Sequence, residues 1–206
     1  CQEINSIVLA ISEIKGNEPF IEYAEKNSIK YVIGDDSDVL GRIITACDLV
    51  KGEIVFRITS ESPFFYKEGI NNAIKSHIKS NADYTAHAKL PDGCMFELIN
   101  INALKISHLK GSKKHKSELV SLYINENSKS FRLNIIEVDK SLQRPNYRLT
   151  IDYPEDLILA REIFNYFESD KEHVPIRKII KLIDKRTKLR SLVDNLVESN
   201  YVKPYH

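Results

Sequence analysis

Two carboxylates in this sequence, Glu61 and Asp152, each follow directly on a short run typical of a β-strand. Glu61 comes after EIVFRI (residues 53–58) and Asp152 comes after YRLTI (residues 147–151). In an open α/β sheet, ligands bind beyond the carboxyl ends of the strands. Two carboxylates that converge there could hold Mg²⁺, which takes hard oxygen ligands and often bridges substrate phosphates. Glu61 and Asp152 are therefore candidate magnesium ligands.

Both residues also have a purely structural interpretation. Asp152 is followed three residues later by Glu155, which is the spacing of a helix capping box. Glu61, taken alone, is typical of a polar loop. Arg57 and Arg148 lie inside the two apolar runs, where a charged side chain needs a partner, so an internal ion pair competes with a ligand contact. The residue types alone leave these alternatives open.

A third polar cluster, GDDSD (residues 34–38), precedes a predicted helix. Its Asp36-Ser37-Asp38 has the D-x-D form of metal-dependent glycosyltransferases. Acidic residues ahead of a helix also complement the helix dipole, and that is the simpler interpretation here. The lysine-rich segment at residues 110–116 could attract phosphate, although a solvated basic loop is the simpler role.

The elements that must position these residues alternate along the chain. Strands are predicted at residues 6–11, 29–33, 53–58, 82–85, 95–99, 131–136 and 147–151. Helical spacing of apolar residues separates most of them, which favours βαβ units on a mainly parallel sheet. We predict one α/β domain over residues 1–170, with a helical extension over residues 171–206 that packs on the same domain as two short helices.

Composition excludes several classes of function. The 30 basic and 29 acidic residues give a net charge of +1, so no global argument for nucleic-acid binding exists. No apolar run approaches the length of a membrane span, and no signal segment is visible. The three cysteines form no CxxC pair and the six histidines show no HxxxH spacing, so neither a zinc site nor a disulfide framework is indicated. A cytoplasmic protein is the expectation.

Five segments, taken in order, resemble the cytidylyltransferase family of the spore coat polysaccharide biosynthesis type. That family is related to the synthetases that activate sialic acids and 3-deoxy-manno-octulosonic acid with CTP. The segments are SIVLAIS, GDDSDVLGRI, VFRITSESPFF, NADYTAHAKLPDGCMFELININAL and YRLTIDYPEDL. Five ordered matches are much more specific than any one of them.

The resemblance implies a fold and a reaction. The fold would be a three-layer, Rossmann-like nucleotidyltransferase of the glycosyltransferase-A type with a mainly parallel mixed sheet. Its N-terminal strand and nucleotide loop would precede Cys1 and be missing from this chain. The reaction would transfer CMP from CTP to a sugar or sugar-acid acceptor and release pyrophosphate, with Mg²⁺ as cofactor, in surface polysaccharide or glycoconjugate biosynthesis.

The resemblance also implies roles for particular residues. Glu61 and Asp152 would hold the metal. The residues assigned to catalysis are Arg148 and Arg42, and those assigned to the nucleotide or the acceptor are Asp38, Ser60, Asp92 and Glu97. The expected partners are CTP and a sugar-like acceptor, with no nucleic acid and no membrane; a homodimer is left open.

This sequence departs from the family pattern at two places near these residues. Ser60-Glu61 stands where the family has Gly-Asp, and Met95 stands where it has an acidic residue. These departures imply either a different substrate or weakened or lost catalysis. Because the family's nucleotide loop would be missing as well, we expect this 206-residue chain to be inactive by itself. The alternative is a catalytically inactive relative that serves as a binding or assembly domain.

Overall fold

The structure is a computed structural model that describes residues 3–168 and 173–200. Within these ranges the six strands are β1 (Val8–Ser12), β2 (Lys30–Gly34), β3 (Ile54–Arg57), β4 (Tyr84–Ala88), β5 (Glu97–Asn100) and β6 (Leu133–Glu137). The α-helices are α1 (Glu18–Lys26), α2 (Val39–Leu49), α3 (Ile70–Lys79), α4 (Ile101–Lys110), α5 (Leu122–Glu126), α6 (Pro154–Tyr166), α7 (Ile176–Lys185), α8 (Thr187–Arg190) and α9 (Asp194–Asn200).

The strands belong to two hydrogen-bonded sheets. β1 and β2 form a parallel pair in which Val8 lies opposite Lys30 and Ser12 opposite Gly34. The other sheet has four strands in the order β3-β5-β4-β6, and β4 runs antiparallel to β5. Parallel and antiparallel pairs therefore coexist, and the predicted α/β fold with a mixed sheet is confirmed.

One predicted strand, residues 147–151, is not a strand. The N–H of Leu149 donates to the carbonyl of Asp92, and the N–H of Ile151 donates to the carbonyl of Glu61. These acceptors lie on two different loops, so the segment makes an isolated bridge between Asp92 and Arg148 and no continuous ladder. The C-terminal region also differs, because the described part of it contains three helices where two were predicted.

By its internal contacts, the chain divides into two compact units. The first comprises Cys1–Phe56, Ile74–Thr85 and Leu98–Asn134; the second comprises Arg57–Ala73, Ala86–Glu97 and Ile135–His206. Each unit consists of three separate segments of the chain, whereas the predicted domains were continuous in sequence. The predicted boundary at residue 170 stays a prediction.

The second unit has a contiguous apolar core to which the C-terminal helices contribute. In α7, the side chains of Ile176, Ile179, Ile180 and Ile183 recur at helical spacing and are all buried in that core. They pack with Phe64, Leu149 and Ile163, which come from earlier parts of the same unit. The core thus anchors the loops that begin at residues 59 and 149.

The first unit has its own buried side chains on helices and strands. Leu40 of α2, Leu104 of α4 and Ile124 of α5 are fully buried. Tyr84 of β4 is fully buried as well, and the neighbouring Thr85 hydroxyl lies 2.8 Å from Nδ1 of His77. Among the residues that the structure describes, no helix is both long enough and apolar enough to cross a bilayer.

Candidate active site

The loop after β3 carries the first candidate carboxylate. Thr59 and Ser62 close the loop, because the Ser62 N–H donates to the Thr59 carbonyl at 3.2 Å and their hydroxyls lie 2.9 Å apart. Ser60 and Glu61 are exposed at its tip. The carbonyl of Glu61 accepts the N–H of Ile151 at 2.9 Å, so this loop adjoins the residue that precedes Asp152.

A tight turn, Pro91-Asp92-Gly93, lies against residues 147–150. The N–H of Asp92 donates to the Tyr147 carbonyl at 2.8 Å, and the Asp92 carbonyl accepts the Leu149 N–H at 2.9 Å. Gly93 has a φ of +78°, and a Cβ at this position would lie 2.4 Å from the backbone nitrogen of Thr150. Only glycine fits such a close approach, so Gly93 keeps Asp92 beside Arg148.

Arg148 is the centre of this region. It is 5% exposed and makes four hydrogen bonds to three carboxylates. Its Nε and Nη2 bind the two oxygens of Asp156, each at 2.8 Å. Nη2 also donates to Asp152 at 2.6 Å and Nη1 donates to Asp92 at 3.2 Å. The guanidinium additionally lies 5.5 Å from the centroid of the Tyr153 ring.

The electrostatics of this cluster favour the charged forms of Arg148 and Asp156, whereas burial, together with the charges of Asp152 and Asp156, raises the pKa of Asp92 despite the nearby Arg148 guanidinium. Burial acts to lower the pKa of Arg148, but the hydrogen bonds and charges of Asp156, Asp152 and Asp92 outweigh it and raise that pKa. Burial acts to raise the pKa of Asp156, but the Arg148 guanidinium and two backbone N–H groups outweigh it and lower that pKa. One guanidinium faces three carboxylates, so the cluster contains more acidic groups than basic ones.

The start of α6 is capped by Asp156. Its Oδ2 accepts the N–H groups of both Asp152 and Tyr153 at 3.0 Å. Pro154 is the first residue of α6, where its missing N–H is not needed. The carboxylate of Asp152 instead contacts Arg148 and stays 44% exposed. The capping box predicted between Asp152 and Glu155 is therefore wrong by one residue, because Tyr153 is the N-cap of α6 and Asp156 holds the third helical position.

Glu61 and Asp152, the two predicted metal ligands, both carry the carboxylate oxygens that Mg²⁺ prefers. They lie on adjoining loops and both are exposed. No group of three or more His, Cys, Asp or Glu side chains surrounds a metal position in the described residues. Two carboxylates fit Mg²⁺, since that ion usually keeps several waters and binds through one or two carboxylates together with substrate phosphates.

Glu97, which was assigned to the acceptor, is in a buried ion pair. Its carboxylate accepts a hydrogen bond from Nη1 of Arg57 at 2.7 Å, and the two side chains are 6% and 15% exposed. Arg57 and Arg148 thus both have internal carboxylate partners, as one of the two sequence interpretations predicted.

Asp38 and Arg42 lie in the first unit, around the start of α2. Asp38 caps this helix by accepting the Gly41 N–H at 2.8 Å, and its other oxygen is 2.7 Å from Nε2 of His108. Burial acts to raise the pKa of Asp38, but His108 and the Gly41 N–H outweigh it and lower that pKa. Arg42 donates to the carbonyls of Asp35 and Asp36, while its buried Nε has no partner among the described residues.

The structure thus joins Asp92, Arg148 and Asp152 by hydrogen bonds, and the loop that carries Ser60 and Glu61 adjoins them through the backbone carbonyl of Glu61. Glu97 pairs with Arg57, and Asp38 and Arg42 belong to the other unit. Sequence reasoning missed Asp156 and His108. Asp156 had a usable signal, because an acidic residue at the third helical position often binds the backbone before the helix. His108 had none, since it is 70 residues from its partner.

Comparisons with known proteins agree with the resemblance in the sequence. A sequence model described as cytidylyltransferase matches residues 22–191. An uncharacterized protein of Methanocaldococcus jannaschii is 28% identical over 200 residues, which cover 97% of this chain and 82% of that protein. The spore coat polysaccharide biosynthesis protein SpsF of Bacillus subtilis is 26% identical over 182 residues, which cover 88% of this chain and 75% of SpsF.

Two solved structures share the fold. A cytidylyltransferase from Leptospira borgpetersenii matches with a TM-score of 0.78 at 20% identity, over 89% of this chain and 77% of that one. A molybdopterin-guanine dinucleotide biosynthesis protein A from Archaeoglobus fulgidus matches with a TM-score of 0.50 at 17% identity, over 74% of this chain and 76% of that one.

Proposed function

The chain belongs to the cytidylyltransferase family, and we propose on this premise that it transfers CMP from CTP to a sugar or sugar-acid acceptor. Pyrophosphate would be the second product. The name of the Bacillus subtilis relative supports a role in surface polysaccharide or glycoconjugate biosynthesis. The cytoplasmic location stays a prediction.

The observation that carries this proposal is the junction of the two carboxylate-bearing loops. The Glu61 carbonyl accepts the Ile151 N–H, and Asp152 is the next residue. The Arg148 cluster beside them has more carboxylates than cations, so a cation should be favoured there. A triphosphate brings more negative charge, which makes a bridging cation necessary for it to approach these side chains.

Glu61 and Asp152 would hold Mg²⁺ in this proposal. When bound, Mg²⁺ neutralises charge on the phosphates of CTP and on the leaving pyrophosphate. Arg148 is better described as a positioning residue than as a catalytic one, because its hydrogen bonds are directed to Asp92, Asp152 and Asp156. It orients Asp152 and keeps its charge beside the site.

The reaction needs little covalent chemistry from the protein. An oxygen of the acceptor attacks the α-phosphorus of CTP, the bond from that phosphorus to the bridging oxygen of the β-phosphate breaks, and the acceptor loses its proton. The exposed residues Ser60 and Asp92 are proposed to contact the nucleotide or the acceptor. Holding the two substrates in line supplies a large part of the rate enhancement in such a transfer.

Pyrophosphate release from CTP, with Mg²⁺ and a panel of sugars and sugar acids, tests the proposal on the natural full-length protein. Turnover with at least one acceptor, abolished by EDTA and restored by Mg²⁺, is the expected result. The same assay on the 206-residue chain tests the expectation that it is inactive by itself. If CTP fails to bind the full-length protein, a binding or assembly domain becomes the better interpretation.

A further inference from the structure

A cavity of about 340 Å³ in the second unit is lined by residues that have no part in the proposed transfer. None of Glu61, Asp92, Arg148 and Asp152 is among its lining residues. We propose that this cavity binds a small anion that carries an aromatic ring or a short alkyl chain, at a site separate from that of CTP.

The walls of the cavity are largely apolar. These apolar walls are formed by Tyr66, Leu142, Pro175 and Ile176. Tyr66 is held in place, because its N–H donates to the Cys94 carbonyl at 2.8 Å and its ring contacts the His87 ring at a centroid distance of 5.3 Å. A cavity of this volume with apolar walls and a few charged groups is typical of small-molecule sites.

The charged groups that line the cavity are Glu68 and three cations of α7: Arg177, Lys178 and Lys181. The Glu68 carboxylate already has hydrogen-bond partners at the start of α7. Its Oε1 accepts the Ile176 N–H at 3.0 Å, and its Oε2 is 3.4 Å from Nε2 of His173. The positive charge of the cavity is therefore in excess, which favours an anionic group on the ligand.

Two of these cations are available to a ligand. Arg177 lies 3.6 Å from Asp139 in an exposed ion pair, and its Nη1 donates to the Ser141 hydroxyl. Exposed pairs of this kind contribute little free energy. Lys181 makes no ion pair with any residue that the structure describes. An anion bound between them would lose little existing interaction energy.

The position of these cations is fixed by the core. The opposite face of α7 buries Ile179, Ile180 and Ile183, which are at most 2% exposed. Since the helix cannot rotate without exposing these residues, residues 177, 178 and 181 stay on the side of the cavity. Cations on a rigid element around apolar walls select an amphipathic anion over inorganic phosphate or a neutral ring.

Phenyl phosphate is a suitable probe, and isothermal titration calorimetry of the full chain gives its affinity. We expect it to bind at least about tenfold more tightly than either inorganic phosphate or phenol. The substitution Lys181→Glu should weaken phenyl phosphate about tenfold. Lys185→Glu makes the same charge change on the same helix outside the cavity, and it should alter the affinity less than about twofold.

Three results would overturn the proposal. They are no binding of phenyl phosphate up to about 10 mM, equal weakening by the two lysine substitutions, and displacement of phenyl phosphate by CTP. Lys181→Glu should leave pyrophosphate release from CTP unchanged, because Lys181 is not in the transfer site. The cavity and the transfer activity can therefore fail independently of one another.

Discussion

Asp152 and Asp156 are expected to contribute very differently to the stability of the protein. Both bind Arg148, but the Asp156 side chain is fully buried whereas that of Asp152 is 44% exposed. We expect Asp156→Asn to lower the free energy of unfolding by about 3 kcal/mol, since it leaves a buried guanidinium short of charge. Asp152→Asn should cost less than about 1 kcal/mol.

Urea unfolding of the two variants measures this contrast, and each variant serves as the control for the other. Equal losses of stability would contradict the assignment of a structural role to the Asp156 carboxylate and of a ligand-binding role to the Asp152 carboxylate. Arg148 retains Asp92 as a partner in both variants, so neither change removes all of its ion pairs.

His87 should make the protein sensitive to mild acid. Burial lowers its pKa from 6.5 to about 4, its ring contacts Tyr66 and Phe96, and its buried Nδ1 has no partner among the described residues. When the pH falls below the pKa that His87 has in the unfolded chain, the unfolded chain binds a proton at His87 and the folded protein does not. The contribution of His87 to the free energy of unfolding is therefore fully present above its pKa in the unfolded chain. It decreases by about 3 kcal/mol as the pH falls to the pKa of His87 in the folded protein.

The variant His87→Phe keeps an aromatic ring between Tyr66 and Phe96 and removes the titrating group. We expect it to unfold at a similar urea concentration to the natural protein at about pH 7 and at a higher one at about pH 5. Carboxylates titrate in both proteins, so the difference between them isolates His87. Identical pH dependence in the two proteins would contradict this account.

Among the structural elements, the turn at Pro91-Asp92-Gly93 should tolerate no side chain at its third position. A Cβ on Gly93 would meet the backbone of Thr150 at 2.4 Å, and the φ of +78° is itself unfavourable for alanine. We expect Gly93→Ala to lower the free energy of unfolding by more than about 2 kcal/mol. Gly16, with a φ of +104° and open space around it, is the matched control, and Gly16→Ala should cost only about 1 kcal/mol.

The start of α2 tests whether Asp38 is more than a cap. Asparagine caps helices as well as aspartate does, so Asp38→Asn should lose only the charge attraction to His108, whereas Asp38→Ala should lose the cap as well and be less stable by about 1 kcal/mol more. Thermal unfolding of both variants measures the cap. If Asp38→Asn stays folded but lowers CTP turnover, the carboxylate charge contributes to the nucleotide site as the family resemblance implies.

Secondary structure was predictable where the pattern is local. The buried isoleucines of α7 recur at a helical period, and Pro154 opens α6 as proline often does. The predicted strand at residues 147–151 was wrong because its hydrogen-bond partners, Asp92 and Glu61, lie on two separate loops, and no local pattern identifies that pairing.

At the scale of the whole molecule, the fold was predictable because five ordered segments constrain it together, and a fold match at a TM-score of 0.78 supports the same architecture. Partners distant in sequence were not predictable. Arg57 needed a carboxylate on physical grounds, but only the structure identifies Glu97, 40 residues away. The same limit applied to His108 and Asp38.

The central claim is that Glu61 and Asp152 act together in CMP transfer, and Mg²⁺-dependent pyrophosphate release from CTP by the full-length protein tests it most directly. We expect Glu61→Gln and Asp152→Asn each to reduce kcat by about a hundredfold or more while the fold persists. Glu155→Gln, an exposed carboxylate three residues after Asp152, is the control and should retain activity. Full activity in either Glu61→Gln or Asp152→Asn would contradict the account.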